Sequence, residues 1–201
     1  MIRAVISDLG KVLLWFDNTI FYRRMTDYCP LSVTEIREIV HKSPEFIELF
    51  DSGRMTPREF FGWAAAKLGA RIGYDDFMAA YVDVFWVNKP VLEVMTRLKP
   101  KYRLILVSNV DVVRFSAIRK KFPEIMIFDD YVLSFEVGVM KPHPRIYQIA
   151  IEKAAAEAAE SVFIDDMSEN VDGARAQGMP AVLYRPEMDL RQCLLALGLS
   201  V

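Results

Sequence analysis

The stretch Met1–Leu14, MIRAVISDLGKVLL, decides the fold, because an apolar run ends there in a carboxylate, a glycine follows, and a second apolar run begins. Ala4, Val5 and Ile6 are apolar with no polar alternation, which predicts a short strand buried on both faces, as in parallel sheets. Asp8 then falls at the carboxyl end of that strand, the edge at which open α/β sheets bind ligands. Gly10 is expected to let the chain turn sharply, bringing its carbonyl and the neighbouring N–H groups close to whatever Asp8 touches. Taken alone, the fragment also fits an aspartate making a local turn ahead of a glycine.

Working outward, the 201 residues suit one α/β domain, or one core domain carrying an insertion. Lys and Arg number 25 against 27 Asp and Glu, and the basic residues are spread along the chain. No electrostatic footprint for nucleic acid results, so no such partner is expected. The apolar runs are far shorter than the roughly 18 residues of a membrane span, and the N-terminus enters a strand pattern without a signal-peptide layout. The expectation is a cytoplasmic protein with no membrane partner. Cys29 and Cys193 lie far apart, without a C-x-x-C or His-rich context, and read as ordinary thiols rather than a disulfide or a zinc site. The oligomeric state stays open, since a monomer and a weak dimer suit the sequence equally.

After the first strand the pattern turns helical. Asp17 to Tyr28 carries an N-capping aspartate and apolar residues at Ile20, Phe21 and Met25. Ser32 with Glu35 and Thr56 with Glu59 are capping boxes, the second strengthened by Pro57, and Asp51-Ser52-Gly53 reads as a turn. Phe60, Phe61, Trp63, Ala64 and Leu68 recur at helical spacing up to Gly69, and Asp75 to Trp86 reads as a fourth helix with Phe77, Tyr81 and Phe85 on one face. A run of helices directly after strand one, followed by strand–helix alternation, predicts a core at residues 1–15 and 89–201 with a helical insertion at 16–88. The alternation runs helix to Leu98, strand Leu104 to Val107, helix Val112 to Lys121, strand Tyr131 to Leu133, helix Arg145 to Ala156. It closes with strand Val162 to Ile164, helix Asn170 to Ala176, strand Ala181 to Leu183 and helix Leu190 to Leu197. The predicted fold is a doubly wound, Rossmann-like parallel sheet.

Three further strand ends carry polar groups. Ser108 and Asn109 put a hydroxyl and an amide at the same sheet edge as Asp8, and both can donate to phosphate oxygens, although Asn109 or Asp111 equally suits an N-cap. Lys141 stands ahead of Pro142, where a loop returns toward the next helix. It is either a solvated charge or the neutralising partner of an anion. Asp165 and Asp166 end a buried strand as adjacent like charges, which calls for a cation or full hydration. Together with Asp8 they offer the hard oxygen ligands that suit magnesium, which also keeps waters and a substrate phosphate. Asp172 is read as a cap of the helix that follows.

In this order the four strand ends resemble the haloacid dehalogenase superfamily, with S-D-L-G, V-S-N, Lys141-Pro142 and F-I-D-D as its four motifs. More narrowly, D-L-G-K-V-L, G-V-M-K-P-H-P-R-I-Y and F-I-D-D-M-S-E-N are similar to the bacterial phosphatases that hydrolyse α-glucose 1-phosphate and related sugar phosphates. The resemblance implies that Asp8 attacks phosphorus to give an aspartyl-phosphate, which water hydrolyses. It implies Mg²⁺ held by the Asp8 carboxylate, the Gly10 carbonyl and Asp166, with Asp165 orienting waters behind them. Lys141 would offset charge on the phosphoryl group, Ser108 and the Asn109 backbone would bind its oxygens, and the insertion would close as a cap over a small phosphorylated substrate.

The chain departs from the superfamily's commonest pattern at Gly10, where a second aspartate usually serves as general acid and base, a role worth about 10²- to 10⁴-fold. Asp17 or a water held by the cap could substitute for it, and Arg54 on the cap turn could meet a substrate oxygen. Lys141→Ala is expected to lower the rate without unfolding the protein. The alternatives are a metal-independent 2-haloacid dehalogenase, whose family also lacks the second aspartate, and a catalytically impaired protein that binds a phosphometabolite.

Overall fold

The computed structural model describes the backbone of residues 1–201 and every side chain outside residues 44–46. In chain order the elements are β1 (Ala4–Ser7), β2 (Leu14–Phe16), α1 (Thr19–Met25), α2 (Val33–His41), α3 (Pro44–Asp51), α4 (Pro57–Leu68), α5 (Tyr74–Val82) and β3 (Phe85–Val87). There follow α6 (Lys89–Leu98), β4 (Arg103–Ser108), α7 (Val112–Lys121), β5 (Asp130–Leu133), α8 (Ser134–Val137) and α9 (Pro144–Ala154). The chain ends with β6 (Ser161–Asp165), α10 (Ser168–Ala176), β7 (Ala181–Leu183) and α11 (Leu190–Ala196).

Five strands form one sheet in the order β5-β4-β1-β6-β7, every pair parallel. Ala4, Val5 and Ile6 in β1, Leu104 to Val107 in β4 and Val162 to Ile164 in β6 are all completely buried. That is why these runs show no alternation: helices cover both faces. Ser7 is aligned with Leu106 on one side and Ile164 on the other, so Asp8, Ser108 and Asp165 emerge along one edge of the sheet. The expected parallel, doubly wound architecture is present.

The helices between β2 and β3 bury their own apolar cluster, built on Phe21, Met25, Ile36, Phe77 and Tyr81. Both predicted capping boxes form, Ser32 with Glu35 and Thr56 with Glu59, and Gly69 ends α4 in the left-handed conformation at φ 60°. Several local expectations are corrected. The fourth helix stops at Val82, and Phe85–Val87 pairs antiparallel with Leu14–Phe16 as a two-stranded ribbon joining the insertion to the sheet. Phe77, Tyr81 and Phe85 mimic a helical repeat across a chain that has already turned at Asp83. Asp17 does not stand at the N-cap of α1; its carboxylate accepts from the Thr19 N–H at 2.8 Å, one position ahead of Asn18. Helix α10 begins at Ser168, which places Asp172 inside it, paired with Arg175 at 3.2 Å, instead of at its start.

Where the insertion rests on the sheet domain, Arg114 of α7 is enclosed by polar groups of α1, α2 and α5. It donates to Asn18 Oδ1 and to His41 Nε2, each at 3.0 Å, and lies 4.1 Å from the Tyr81 ring centroid. Arginine only donates, so His41 is an acceptor at Nε2 and neutral. Burial, aided by the Arg114 charge, pushes the His41 imidazole down to about 3. Because the folded value lies below the unfolded one, the stability from neutral His41 is present above pH 6.5 and is lost as the pH falls toward 3. The stability advantage of the native chain over His41→Gln is therefore expected to shrink by about 2 to 3 kcal/mol between pH 7 and 4. Urea unfolding at stepped pH measures it. Asp51, pushed up to about 7 by burial and the Asp111 charge, titrates in both proteins and cancels in the difference. A difference constant with pH contradicts the assignment.

Candidate active site

Asp8 leaves β1 with its N–H on the Ile164 carbonyl at 2.9 Å, which ties the start of the loop to the neighbouring strand. Its Oδ1 lies 2.7 Å from Lys141 Nζ, and Asp165 Oδ2 lies the same distance from the same nitrogen. The ammonium's third contact is the Val107 carbonyl at 3.1 Å, so all three of its protons have partners. Lys141 is held in turn by Asn109, whose Oδ1 accepts from the Lys141 N–H at 2.7 Å and whose Nδ2 donates to the Lys141 carbonyl at 2.9 Å. The Asn109 amide is thus spent on positioning Lys141 and is not open to a phosphate oxygen, which corrects the expectation for that side chain. The N-cap of α7 is Asp111, which accepts from Val113 and Arg114.

Lys141 is buried with its side chain 1% exposed, so the solvated-charge reading is excluded. Burial alone would strip its charge, but the charges of Asp8 and Asp165 outweigh that and hold its pKa above the usual lysine value. Burial pushes the Asp8 carboxyl up to about 7, with Lys141 drawing it down and Asp165 raising it. Asp166 is raised as well, by burial and then by the Asp165 charge, against the pull of Lys11 and Lys141. Asp165 is fully engaged: besides Lys141 it accepts from the Met167 N–H at 2.8 Å and from Asn170 Nδ2 at 3.0 and 3.1 Å.

Asp8, Gly10, Ser108, Lys141 and Asp166 line one cavity of about 160 Å³, together with Lys11, Phe16, Asn109, Met167 and Asn170. A larger groove of about 770 Å³ follows α6 past Trp86 and Phe122 and shares no residue with it. Carboxylate oxygens of Asp8, Asp165 and Asp166 come within 4.8 Å of one another, the one such cluster among the described residues. Three carboxylates face two ammonium groups, Lys141 and Lys11, the latter 3.8 Å from Asp166. The surplus is negative, the donors are hard oxygens, and the buried Asn170 Oδ1 has no partner. These features fit a small divalent cation.

Gly10 has an ordinary backbone, and the left-handed residue of the loop is Lys11, with φ 55°. What the glycine meets is not the turn assumed from sequence but a tight approach: a Cβ there would lie 3.1 Å from Phe16 Cε1. The ring occupies the space beside the missing acid. Asp17 and Arg54 are not brought to the cavity. The Asp17 carboxyl is held below its usual range by its hydrogen bonds to Thr19, and Arg54 pairs with Glu48 at 2.6 Å and with Ser52 Oγ at 2.9 Å. Lys11, Met167 and Asn170 are the lining residues that sequence reasoning did not single out. The S-E-N run after the acidic pair was a usable signal for Asn170; nothing comparable marked the other two.

A parallel sheet with a nucleophile-type carboxylate, a buried lysine and an acidic pair at its carboxyl edge has its reactive side chains where open α/β sheets bind ligands. The chain belongs to the haloacid dehalogenase-like hydrolase family, whose model matches residues 2–178. It is 32% identical over 105 residues to bifunctional epoxide hydrolase 2 of Rattus norvegicus, a match covering 49% of this chain and 19% of that protein. The chain thus spans only a part of that longer relative. It is 23% identical over 197 residues to D-ribitol-5-phosphate phosphatase of Bacteroides thetaiotaomicron, covering 93% of each. In fold it superposes on a HAD family enzyme of Bacteroides thetaiotaomicron, in complex with magnesium and inorganic phosphate, with a TM-score of 0.78, 22% identity, and 96% of this chain and 99% of that one covered. Among the described residues no helix is long and apolar enough to cross a membrane.

Proposed function

We propose that this chain is a Mg²⁺-dependent phosphatase acting on a small phosphorylated metabolite of the sugar phosphate class, through an aspartyl-phosphate on Asp8. The observation that carries the reading is the buried Asp8–Lys141–Asp165 chain opening on a small cavity whose carboxylates outnumber its cations. The likeness to a phosphatase of D-ribitol 5-phosphate over nearly the whole chain supports it. Residues 16–88 act as a cap over the substrate, and the two free thiols suit a cytoplasmic setting.

Asp8, Asp166 and the Gly10 carbonyl would hold the magnesium, which when bound offsets charge on the phosphoryl oxygens and favours the ionised form of Asp8. Asp165 holds Lys141 and the loop to α10 in place. Lys141 is fixed by Asn109 and the Val107 carbonyl so that its charge faces the nucleophile before substrate arrives, which avoids reorganisation during the reaction. The Ser108 hydroxyl and the Asn109 N–H bind a phosphoryl oxygen. Asp8 attacks phosphorus as the ester oxygen leaves, and water then cleaves the aspartyl-phosphate.

The test is phosphate release from p-nitrophenyl phosphate and from a panel of sugar 1-phosphates, sugar 6-phosphates and nucleotides, with Mg²⁺ and with chelator. Turnover is expected only with Mg²⁺. With no carboxylic acid at residue 10, nitrophenyl and anomeric phosphates are expected to outrun simple alkyl phosphates by about 10² in the chemical step. Halide release from 2-haloacids in the presence of chelator would instead establish the dehalogenase reading. Against that reading stand the three carboxylates, which without a cation leave excess negative charge beside the nucleophile.

A further inference from the structure

We propose that Lys11 is a further catalytic residue, whose ammonium holds the oxygen departing from phosphorus in place of the acid that Gly10 does not provide. The inference rests on the phosphatase reading. Three observations carry it. First, residue 10 carries no carboxylic acid, and the Phe16 ring stands 3.1 Å from where a Cβ would be, so the ring would have to give by a few tenths of an ångström to admit one. Second, Lys11 lines the same cavity as Asp8, with its Nζ 5.7 Å from the Phe16 ring centroid and 3.8 Å from Asp166 Oδ2. At 3.8 Å the pair with Asp166 is not a hydrogen bond, so the ammonium protons remain available to an acceptor in the cavity. Third, Lys11 holds a left-handed backbone at φ 55°, a conformation that costs a lysine free energy. Its N–H is on the Leu14 carbonyl at 2.6 Å, and the Leu13 and Leu14 N–H groups both reach the Leu9 carbonyl at 2.9 Å, so the loop dictates that conformation. Residues kept in such backbone regions by their surroundings concentrate at active sites.

The step asks Lys11 for charge, for a hydrogen bond and, when the leaving oxygen is basic, for a proton that the lysine later regains. As the Asp8 oxygen bonds to phosphorus, the bond from phosphorus to the ester oxygen breaks and its electron pair stays on that oxygen. The Lys11 ammonium donates a hydrogen bond to the developing alkoxide, which stabilises charge where it appears. The alkoxide takes its proton through Lys11, and the lysine regains one from the water that then attacks the aspartyl-phosphate. That water's oxygen and second hydrogen end on phosphate, and Asp8 is returned as the carboxylate.

The experiment compares nitrophenyl, phenyl and alkyl phosphates of stepped leaving-group acidity on the native chain, Lys11→Met and Lys11→Arg, each with Mg²⁺. The ratio of the nitrophenyl rate to the alkyl rate is expected to rise about 30-fold in Lys11→Met and to return part of the way in Lys11→Arg, which keeps the charge and the hydrogen bond without a proton to give. Lys11 is half exposed, so the fold is expected to tolerate both changes, and a thermal melt checks it. A Lys11→Met ratio equal to the native one, whether all rates fall together or none does, overturns the assignment and leaves the phosphatase reading standing. If the native chain hydrolyses no phosphate ester, that reading falls and this one with it.

Discussion

Phosphate ester turnover in Asp8→Asn is expected to fall by about 10⁴-fold or more, since loss of a nucleophile removes the covalent route altogether. An amide is also a poor ligand for a hard cation. The fold is expected to survive. Lys141 keeps Asp165 and the Val107 carbonyl as partners, and the substitution removes a carboxyl that burial already disfavours as an anion. The sign of its pH dependence follows from the raised value: the stability that Asp8 contributes is present below its unfolded value of 3.8 and lost as the pH rises through about 7. In metal-free buffer the variant should therefore gain on the native chain across that window. Steady-state kinetics and urea unfolding at pH 4 and 8 measure the two effects.

Lys141→Met has the second large effect, and here the geometry reverses what the sequence suggests. Read as a loop lysine, residue 141 is a group whose removal slows the reaction and spares the fold. In the structure it is the common partner of two buried carboxylates, and removing one side of such a pair is strongly destabilising, by about 3 to 5 kcal/mol. A fall in urea midpoint of that size is expected together with loss of activity. The double variant Lys141→Met/Asp165→Asn separates the two consequences. It removes one uncompensated charge and should recover part of the stability, while activity stays lost because the Lys141 charge that faces the nucleophile is gone. Native-like stability in Lys141→Met would contradict the buried pairing.

The sheet strands were legible because burial on both faces leaves an unbroken apolar run, and three of them, β1, β4 and β6, run out into residues that a core strand would not tolerate. Asp8, Ser108 and Asp165-Asp166 are therefore placed along one sheet edge by the sequence alone, and Lys141 by the loop that returns to the next helix. The β2–β3 ribbon could not: each strand has three residues, and the aromatic spacing from Phe77 to Phe85 imitates a helix. Side-chain commitments were illegible for another reason. Whether Asn109 faces a phosphate or clamps Lys141 depends on a residue 32 positions away, and Gly10 faces the Phe16 ring through a turn whose shape the sequence does not spell out. Arg54 illustrates the converse. Its place on a turn of the insertion suggested a substrate contact, but its neighbours Glu48 and Ser52 satisfy it locally.

If the phosphoryl group passes through Asp8, it can be trapped there. Enzyme mixed with excess p-nitrophenyl phosphate and Mg²⁺, quenched in acid during turnover and digested, is analysed by peptide mass spectrometry. A phosphoryl group is expected on the peptide containing Asp8, absent when Mg²⁺ is withheld and absent from Asp8→Asn. Turnover with no phosphorylated peptide, or with the phosphoryl group on another residue, would contradict it.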